Sequence, residues 1–274
     1  MDEACLAHRA TAEESRRFEA DGFLVVPNVL PENLVTQLVE TVDRLDAKHR
    51  ADADVDLHQR VQQIDFIGRD EIFLLLIDWP LTFPKVWDFL GWNVQLYYTA
   101  MTVTPPLLAE DVVLETPLNW HQDSAEINPD LETDPRPRIS LKVAFFLTDT
   151  RDPGSANFMV MPGSHLTNKL PTDPVEGCYP SSEALELSPG TAVIFDRRLW
   201  HAASPNRSTK TRKVIFLGYS YRWMRPRGEM TVEHLIDSCD PIRRSLLNPQ
   251  VTWGKNGPLE DWLVEHHVLD AELE

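Results

Sequence analysis

Between Val94 and Tyr221 the chain breaks into short β-branched and aromatic runs, and this texture narrows the possible folds more than any other feature. The runs are Val94–Thr104, Ile139–Leu147, Phe158–Met161, Thr191–Phe195 and Val214–Tyr221, parted by Pro, Gly, Asn and Asp. Several short strands at such spacing indicate an antiparallel barrel or sandwich. What precedes them is mostly helical in pattern. Thr11 with Glu13 and Glu14 reads as a helix start, Asp21-Gly22 as its stop, and Phe23–Val26 as a short strand. Pro31-Glu32 opens a second helix, with Leu34, Val35, Leu38, Val39, Val42 and Leu45 at helical spacing, expected to end near Arg50. Pro84 to Leu90 reads as another, stopped by Gly91.

Residues 51–64 are charged and weakly patterned, and are expected to form a mobile surface segment. From about Thr231 the pattern turns helical again, with Val232, Leu235, Ile236, Leu259, Trp262 and Leu263. No repeat or flexible linker divides the 274 residues. The expectation is one domain over 1–274: a mostly helical N-terminal buttress (1–92), a β-core (93–225) and a C-terminal helical segment (226–274).

Composition excludes some partners. The 43 acids outnumber the 26 bases, for a formal charge of −17. Such a surface repels phosphate backbones and anionic lipid, so neither nucleic acid nor membrane is expected as a partner. No run of about 18 apolar residues is present. The three cysteines, Cys5, Cys178 and Cys239, form no CxxC and no disulfide framework. Reduced thiols of this kind suit a cytoplasmic protein. Nothing in the sequence decides between a monomer and a homodimer.

The chemistry is concentrated in Asn119-Trp120-His121-Gln122-Asp123. On a strand, residues i and i+2 point to one face, so His121 and Asp123 can converge on one ion. An HxD pair alone is weak in a chain with nine histidines. A third ligand, His201, follows the apolar Thr191–Phe195 run and precedes the turn Ser204-Pro205-Asn206. Two histidines and one carboxylate on one face of an octahedron leave open positions, the arrangement of non-haem iron(II) oxygenases. Arg212, eleven residues on, opens the next strand. A hairpin return would set it beside the strand carrying His201, and a buried Arg needs an anion. A dicarboxylate co-substrate would supply one.

These stretches resemble the phytanoyl-CoA dioxygenase family of iron(II)- and 2-oxoglutarate-dependent oxygenases. The resemblance rests on Trp120-His121-Gln122-Asp123, on Met161-Pro162-Gly163-Ser164-His165, on Gly190 to Phe195 running into His201, and on Arg212. With Asp21-Gly22-Phe23 it covers about residues 12–225. It implies a double-stranded β-helix, or jelly roll, buttressed by helices. It implies iron(II) on His121, Asp123 and His201, Arg212 on the distal carboxylate of 2-oxoglutarate, and O2 as the oxidant. In halogenating relatives a small residue replaces the carboxylate, so Asp123 points to hydroxylation of an unactivated C–H bond, with release of succinate and CO2. The substrate expected is a small free metabolite, anionic ones included.

Other residues carry less. Tyr98 and Thr102 share a face by parity, and one of these hydroxyls is expected to reach the co-substrate. Asn119, of the same parity as His121, and Lys142 and Arg197, in or beside core strands, are candidates to touch substrate; for the two bases the plainer reading is outward placement or an ion pair with a local acid. Trp120 and Trp200 point away from the metal by alternation and should pack. His165, after Pro162-Gly163-Ser164, should stabilise a turn. His266 and His267 diverge by about 100° on a helix and make a poor chelate. Segments 51–64 and 124–136 are expected lids. Rival readings are a jelly-roll metalloprotein that does without 2-oxoglutarate, such as a cupin-like isomerase or a cofactor-independent dioxygenase, or an inactive binding relative. The first would show extra histidine ligands and no need of Arg212, the second a broken ligand set, and the sequence shows neither.

Overall fold

The computed structural model describes residues 1–108, 118–170, 179–247 and 257–270. Thr11 caps α1 (Ala12–Asp21) in a full capping box, its side chain accepting from the Glu14 amide while the Glu14 carboxylate accepts from the Thr11 amide. Gly22 ends the helix at φ 82°, in the left-handed region. A β-carbon there would meet the His165 ring at 2.4 Å, so this glycine is also needed for close approach. Strand β1 (Phe23–Val26) follows, then α2 (Glu32–Ala53). The helix runs to Ala53, past the expected end near Arg50, and stops at Asp54, whose left-handed backbone (φ 51°) turns its amide onto the Arg50 carbonyl.

Beyond α2 the structure corrects the sequence reading. Val61–Ile64, expected to be mobile, is an ordered strand, β2, paired antiparallel with β3 (Val94–Thr104). Helix α3 (Phe83–Leu90) lies between them in the chain. The remaining strands are β4 (Ser140–Phe146), β5 (Phe158–Val160), β6 (Glu183–Leu185), β7 (Thr191–Asp196), β8 (His201–Ala203) and β9 (Arg212–Tyr221). Two short helices, α4 (Pro241–Leu247) and α5 (Gly257–Glu265), close the described chain, with Leu259 and Leu263 buried as the pattern predicts.

The strands form two antiparallel sheets. The larger has the order β1-β7-β4-β9-β3-β2, the smaller β6-β5-β8. Alternation along each strand sorts side chains between two cores. Leu141, Val143, Ile194, Ile215 and Leu217 face the helices, among them Leu38, Val42, Phe83 and Val86. Ala144, Phe146, Val193, Phe195 and Val214 face the small sheet and pack on Phe158, Val160 and Leu185. Both faces of the large sheet are covered, which is why its strands read as nearly unbroken apolar runs. The result is the jelly roll with helical buttress that the resemblance implies.

One expected pairing is absent. β9 does not return beside β8; it pairs with β3 and β4 in the large sheet. The connection after β8 crosses from one sheet to the other, so Arg212 faces His201 across the interior. No helix among the described residues is long and apolar enough to cross a membrane.

Candidate metal centre

His121 and Asp123 do not lie on a regular strand. His121 forms an isolated bridge with His201, each donating its amide to the other's carbonyl at 3.0 Å. Two residues on, the Asp123 amide donates to the Arg197 carbonyl at 2.8 Å. These anchors bring the two side chains together with His201, His121 exposed and Asp123 and His201 buried. The ligand atoms of His121, Asp123 and His201 all lie within 4.8 Å of one another, and the two imidazole rings are 4.3 Å apart at their centroids.

Hydrogen bonds orient each ring. His121 Nδ1 donates to the Asn119 carbonyl at 2.9 Å, and His201 Nδ1 to the Leu199 carbonyl at 2.8 Å. With the proton fixed on Nδ1, each Nε2 keeps its lone pair for a metal. Burial pushes the His201 pKa down to about 4 against the attraction of Asp123, so the ring is neutral at ordinary pH.

Asp123 is held by Lys142 on β4, whose Nζ donates to Oδ1 at 2.6 Å with both side chains buried. Burial alone would raise this carboxyl, but Lys142 and then His201 outweigh it and bring the pKa to about 2. Oδ2 is buried with no hydrogen-bond partner. Oδ1, the oxygen bonded to Lys142, lies 4.0 Å from His201 Nε2, and a buried carboxylate with an unanswered oxygen beside two oriented imidazoles is what a divalent metal would satisfy. The donor set, two neutral nitrogens and one hard anionic oxygen, fits iron(II).

A cavity of about 80 Å3 opens beside this cluster. Its walls include Phe158, Phe195 and Phe216, with Ala202 and Ala203 from β8. Arg212 lies at its far side, 3% exposed, with its guanidinium carbon 5.2 Å from the centroid of the Phe146 ring. No ion pair reaches Arg212 among the described residues, and its Nε is buried without a partner. Burial pushes its pKa down to about 9, the like charge of Arg60 adding to the effect, so it remains a cation at neutral pH. A buried cation without an anion is costly, and the neighbouring cavity is where that anion belongs.

Tyr98 also lines the cavity, and a β-bulge puts it there. The register of β3 against β9 shifts between Leu96 and Tyr98, so Tyr97 and Tyr98 both project inward opposite Gly218. Tyr97 donates to Ser140 Oγ at 3.1 Å. The Tyr98 ring lies between the Lys142 ammonium at 4.6 Å and the Arg227 guanidinium at 5.2 Å. Thr102 shares the inner face but is covered, and accepts from Gln62 Nε2 at 3.4 Å.

Three other expected residues lie elsewhere or act otherwise. Lys142 lines the cavity, yet its charge is answered by Asp123. Asn119 is exposed, and its backbone carbonyl, not its side chain, engages the site. Arg197 is buried away from the cavity lining, where its guanidinium donates to Asn128 Oδ1 and to the Asp123 carbonyl. With the Arg136 bond to the Asn128 carbonyl and the Arg227–Glu126 ion pair it ties down the 124–136 segment, expected to be a lid. Trp120 and Trp200 are half-buried, Trp120 against Tyr179. His165 is buried and its Nε2 meets the Glu19 carbonyl at 3.2 Å, tying the Pro162-Gly163 turn to α1. His266 stacks on Trp262. Two cavity residues had no sequence signal of their own: Arg60, just ahead of β2, and Gln62 on it.

The phytanoyl-CoA dioxygenase family model matches residues 18–214. This chain belongs to the phytanoyl-CoA dioxygenase family. The matched span carries all three candidate ligands and Arg212. Among curated relatives, a probable alpha-ketoglutarate-dependent hypophosphite dioxygenase of Stutzerimonas stutzeri is 28% identical over 148 residues, 48% of this chain and 47% of that one. The match thus spans about half the length of that relative. An ectoine dioxygenase of Streptomyces avermitilis is 24% identical over 241 residues, 77% of this chain and 78% of that one. Two solved structures share the family fold. HygX from Streptomyces hygroscopicus, with nickel and 2-oxoglutarate bound, aligns with a TM-score of 0.63 at 17% identity, covering 79% of this chain and 89% of its own. EctD from S. alaskensis, with 2-oxoglutarate and 5-hydroxyectoine, aligns with a TM-score of 0.61 at 20% identity, covering 84% and 83%.

Proposed function

We propose that this chain is an iron(II)- and 2-oxoglutarate-dependent dioxygenase that hydroxylates an unactivated C–H bond of a small molecule, releasing succinate and CO2. The observation that carries this reading is the buried Arg212, without an ion-pair partner among the described residues, in the same cavity as the His121–Asp123–His201 cluster. Family membership and a relative named for alpha-ketoglutarate dependence support it.

His121, Asp123 and His201 would hold the iron. When bound, iron(II) with 2-oxoglutarate supplies oxygen activation coupled to oxidative decarboxylation, chemistry no side chain here can provide. The protein's own work is positioning. Arg212 takes the distal carboxylate of 2-oxoglutarate in a fork of charge-assisted hydrogen bonds, which orients the keto acid toward the three ligands. Tyr98 offers its hydroxyl to the same cavity. Lys142 holds the Asp123 carboxylate in place and keeps it ionised, ready for the metal it would help to bind. Phe158, Phe195 and Phe216 exclude water from the reacting centre. Asp123 fills the position whose carboxylate favours hydroxylation over halogenation in this family.

The deciding experiment is anaerobic. Purified protein with iron(II) and 2-oxoglutarate should develop a visible metal-to-ligand charge-transfer band, and His121→Ala and Asp123→Ala should each abolish it. A wild-type protein that binds iron but shows no band would refute the co-substrate. Full iron content in His121→Ala would refute the ligand set.

A further inference from the structure

The cavity holds one cation more than the proposed reaction uses. Lys142 is answered by Asp123, and Arg212 by the distal carboxylate of 2-oxoglutarate. A bidentate fork engages both oxygens of that carboxylate, so one anionic end satisfies one guanidinium. Arg60 also lines the cavity, and no acceptor or carboxylate partners it among the described residues. It stands close enough to Arg212 for the like charges to repel, and burial pushes its own pKa down. A buried guanidinium with an exposed one of like charge beside it is unfavourable in the free protein, most of all in a chain with 43 acids available to neutralise them.

Position separates the two roles. Arg212 is almost fully enclosed, whereas Arg60, just ahead of β2, is exposed over more of its surface and so stands toward the mouth. Gln62, two residues on, lines the same wall. Its Nε2 donates to Thr102 Oγ1, which leaves a second amide N–H for a ligand.

We propose that Arg60, with Gln62 beside it, binds an anionic group of the substrate, a carboxylate, phosphate or phosphonate, at the mouth of the cavity. This rests on the dioxygenase reading above and adds the substrate's chemical class. The substrate then carries an anionic handle at one end, while the carbon to be oxidised reaches inward past Phe216 toward the ligand cluster. Arg60 is a specificity-determining residue here, and the co-substrate clamp is Arg212 alone.

The test uses the full chain loaded anaerobically with iron(II) and 2-oxoglutarate. Sodium sulfate is the probe, with sodium chloride holding ionic strength constant. Calorimetric titration should show sulfate binding while the charge-transfer band persists, so the probe does not displace the co-substrate. Arg60→Gln should weaken sulfate by about tenfold or more, the loss of at least one charge-assisted bond. In the same variant the affinity for 2-oxoglutarate, titrated on the band, should stay within about threefold of wild type, and Arg60→Lys should recover part of the sulfate binding. Sodium acetate in place of sulfate ranks a planar against a tetrahedral anion, and Arg60-dependent binding of either supports the proposal. It is overturned if neither anion binds the wild type, or if Arg60→Gln changes nothing. It is also overturned if Arg60→Gln costs as much 2-oxoglutarate affinity as Arg212→Gln, because both arginines then grip the co-substrate. A wild type that forms no charge-transfer band fails earlier, and removes the dioxygenase reading and this proposal together.

Discussion

Replacing Arg212 with methionine should move two measurements in opposite directions. In the ligand-free protein Arg212 is 3% exposed, has no ion-pair partner among the described residues and lies against the Phe146 ring. Methionine of similar length can fill that space without a charge. Exchanging a buried ionic group for a packed apolar one is stabilising by about 1–4 kcal/mol. In a chain of this size that is a rise in melting temperature of about 2–10 °C. Binding should suffer for the same reason. Removing two charge-assisted bonds of about 1.5–3 kcal/mol each weakens 2-oxoglutarate by about a hundredfold to ten-thousandfold. The assay pairs thermal melts without ligand with anaerobic titration of the charge-transfer band. A variant that melts lower than wild type and still binds 2-oxoglutarate normally would refute the argument, since the guanidinium would then have a structural partner and no ligand. The opposed signs are informative because loss of fold alone lowers both quantities together.

Three further outcomes follow from the same geometry. Lys142→Met leaves Asp123 buried without its cation, so the metal-free protein should lose about 3–5 kcal/mol, with much of it regained on adding nickel(II); equal melting curves for variant and wild type without metal would count against the pair. Asp196 is fully buried between Arg138 and Arg198, at 2.7 and 2.6 Å, so Asp196→Asn should cost about 3–5 kcal/mol in a denaturant titration, and a loss under about 1 kcal/mol would show the two arginines to be satisfied without it. Burial holds the His165 pKa below its ordinary value, so the unfolded chain takes up the proton first as pH falls. Its contribution to stability is therefore complete above about pH 6.5 and declines below that, by at most about 1.4 kcal/mol per pH unit; His165→Asn should show a flatter melting profile between about pH 6.5 and 5, and parallel profiles would exclude the group.

Much of the core was legible because burial on both faces leaves an unambiguous signature. Val94–Thr104 coincides with β3, and the runs at 139–147, 191–195 and 214–221 locate β4, β7 and β9 to within two residues. β2 was not legible. Val61-Gln62-Gln63-Ile64 is an edge strand with polar residues at its centre and Ile64 exposed, so its local pattern is that of a surface loop. β6 and β8 have three residues each, too few to establish any period. The candidate ligand residues were singled out from spacing, yet the spacing argument assumed a strand where the chain is held by an isolated bridge and the Arg197 carbonyl. Arg212 was singled out from its distance after His201 and does line the cavity, although the implied hairpin does not exist; a jelly roll sends that connection to the opposite sheet. Arg60 and the Lys142–Asp123 pair had no local signal, because both depend on which strands become neighbours.

The mutual amide bonds of His121 and His201 tie together two points eighty residues apart in the chain, and do so with two hydrogen bonds at the free edge of a three-stranded sheet. Such an edge is among the first places a protein opens. An ion gripping side chains on both sides of that junction acts as a removable staple, and closing a loop of this length lowers the entropy of the opened chain to a degree comparable with a disulfide, about 4–5 kcal/mol. Occupancy of the site therefore reaches beyond catalysis. Backbone amides of His201–Ala203 and Phe158–Val160 should exchange with deuterium readily while the site is empty and become protected once it is filled, so the small sheet would record the metal status of the protein in its own dynamics.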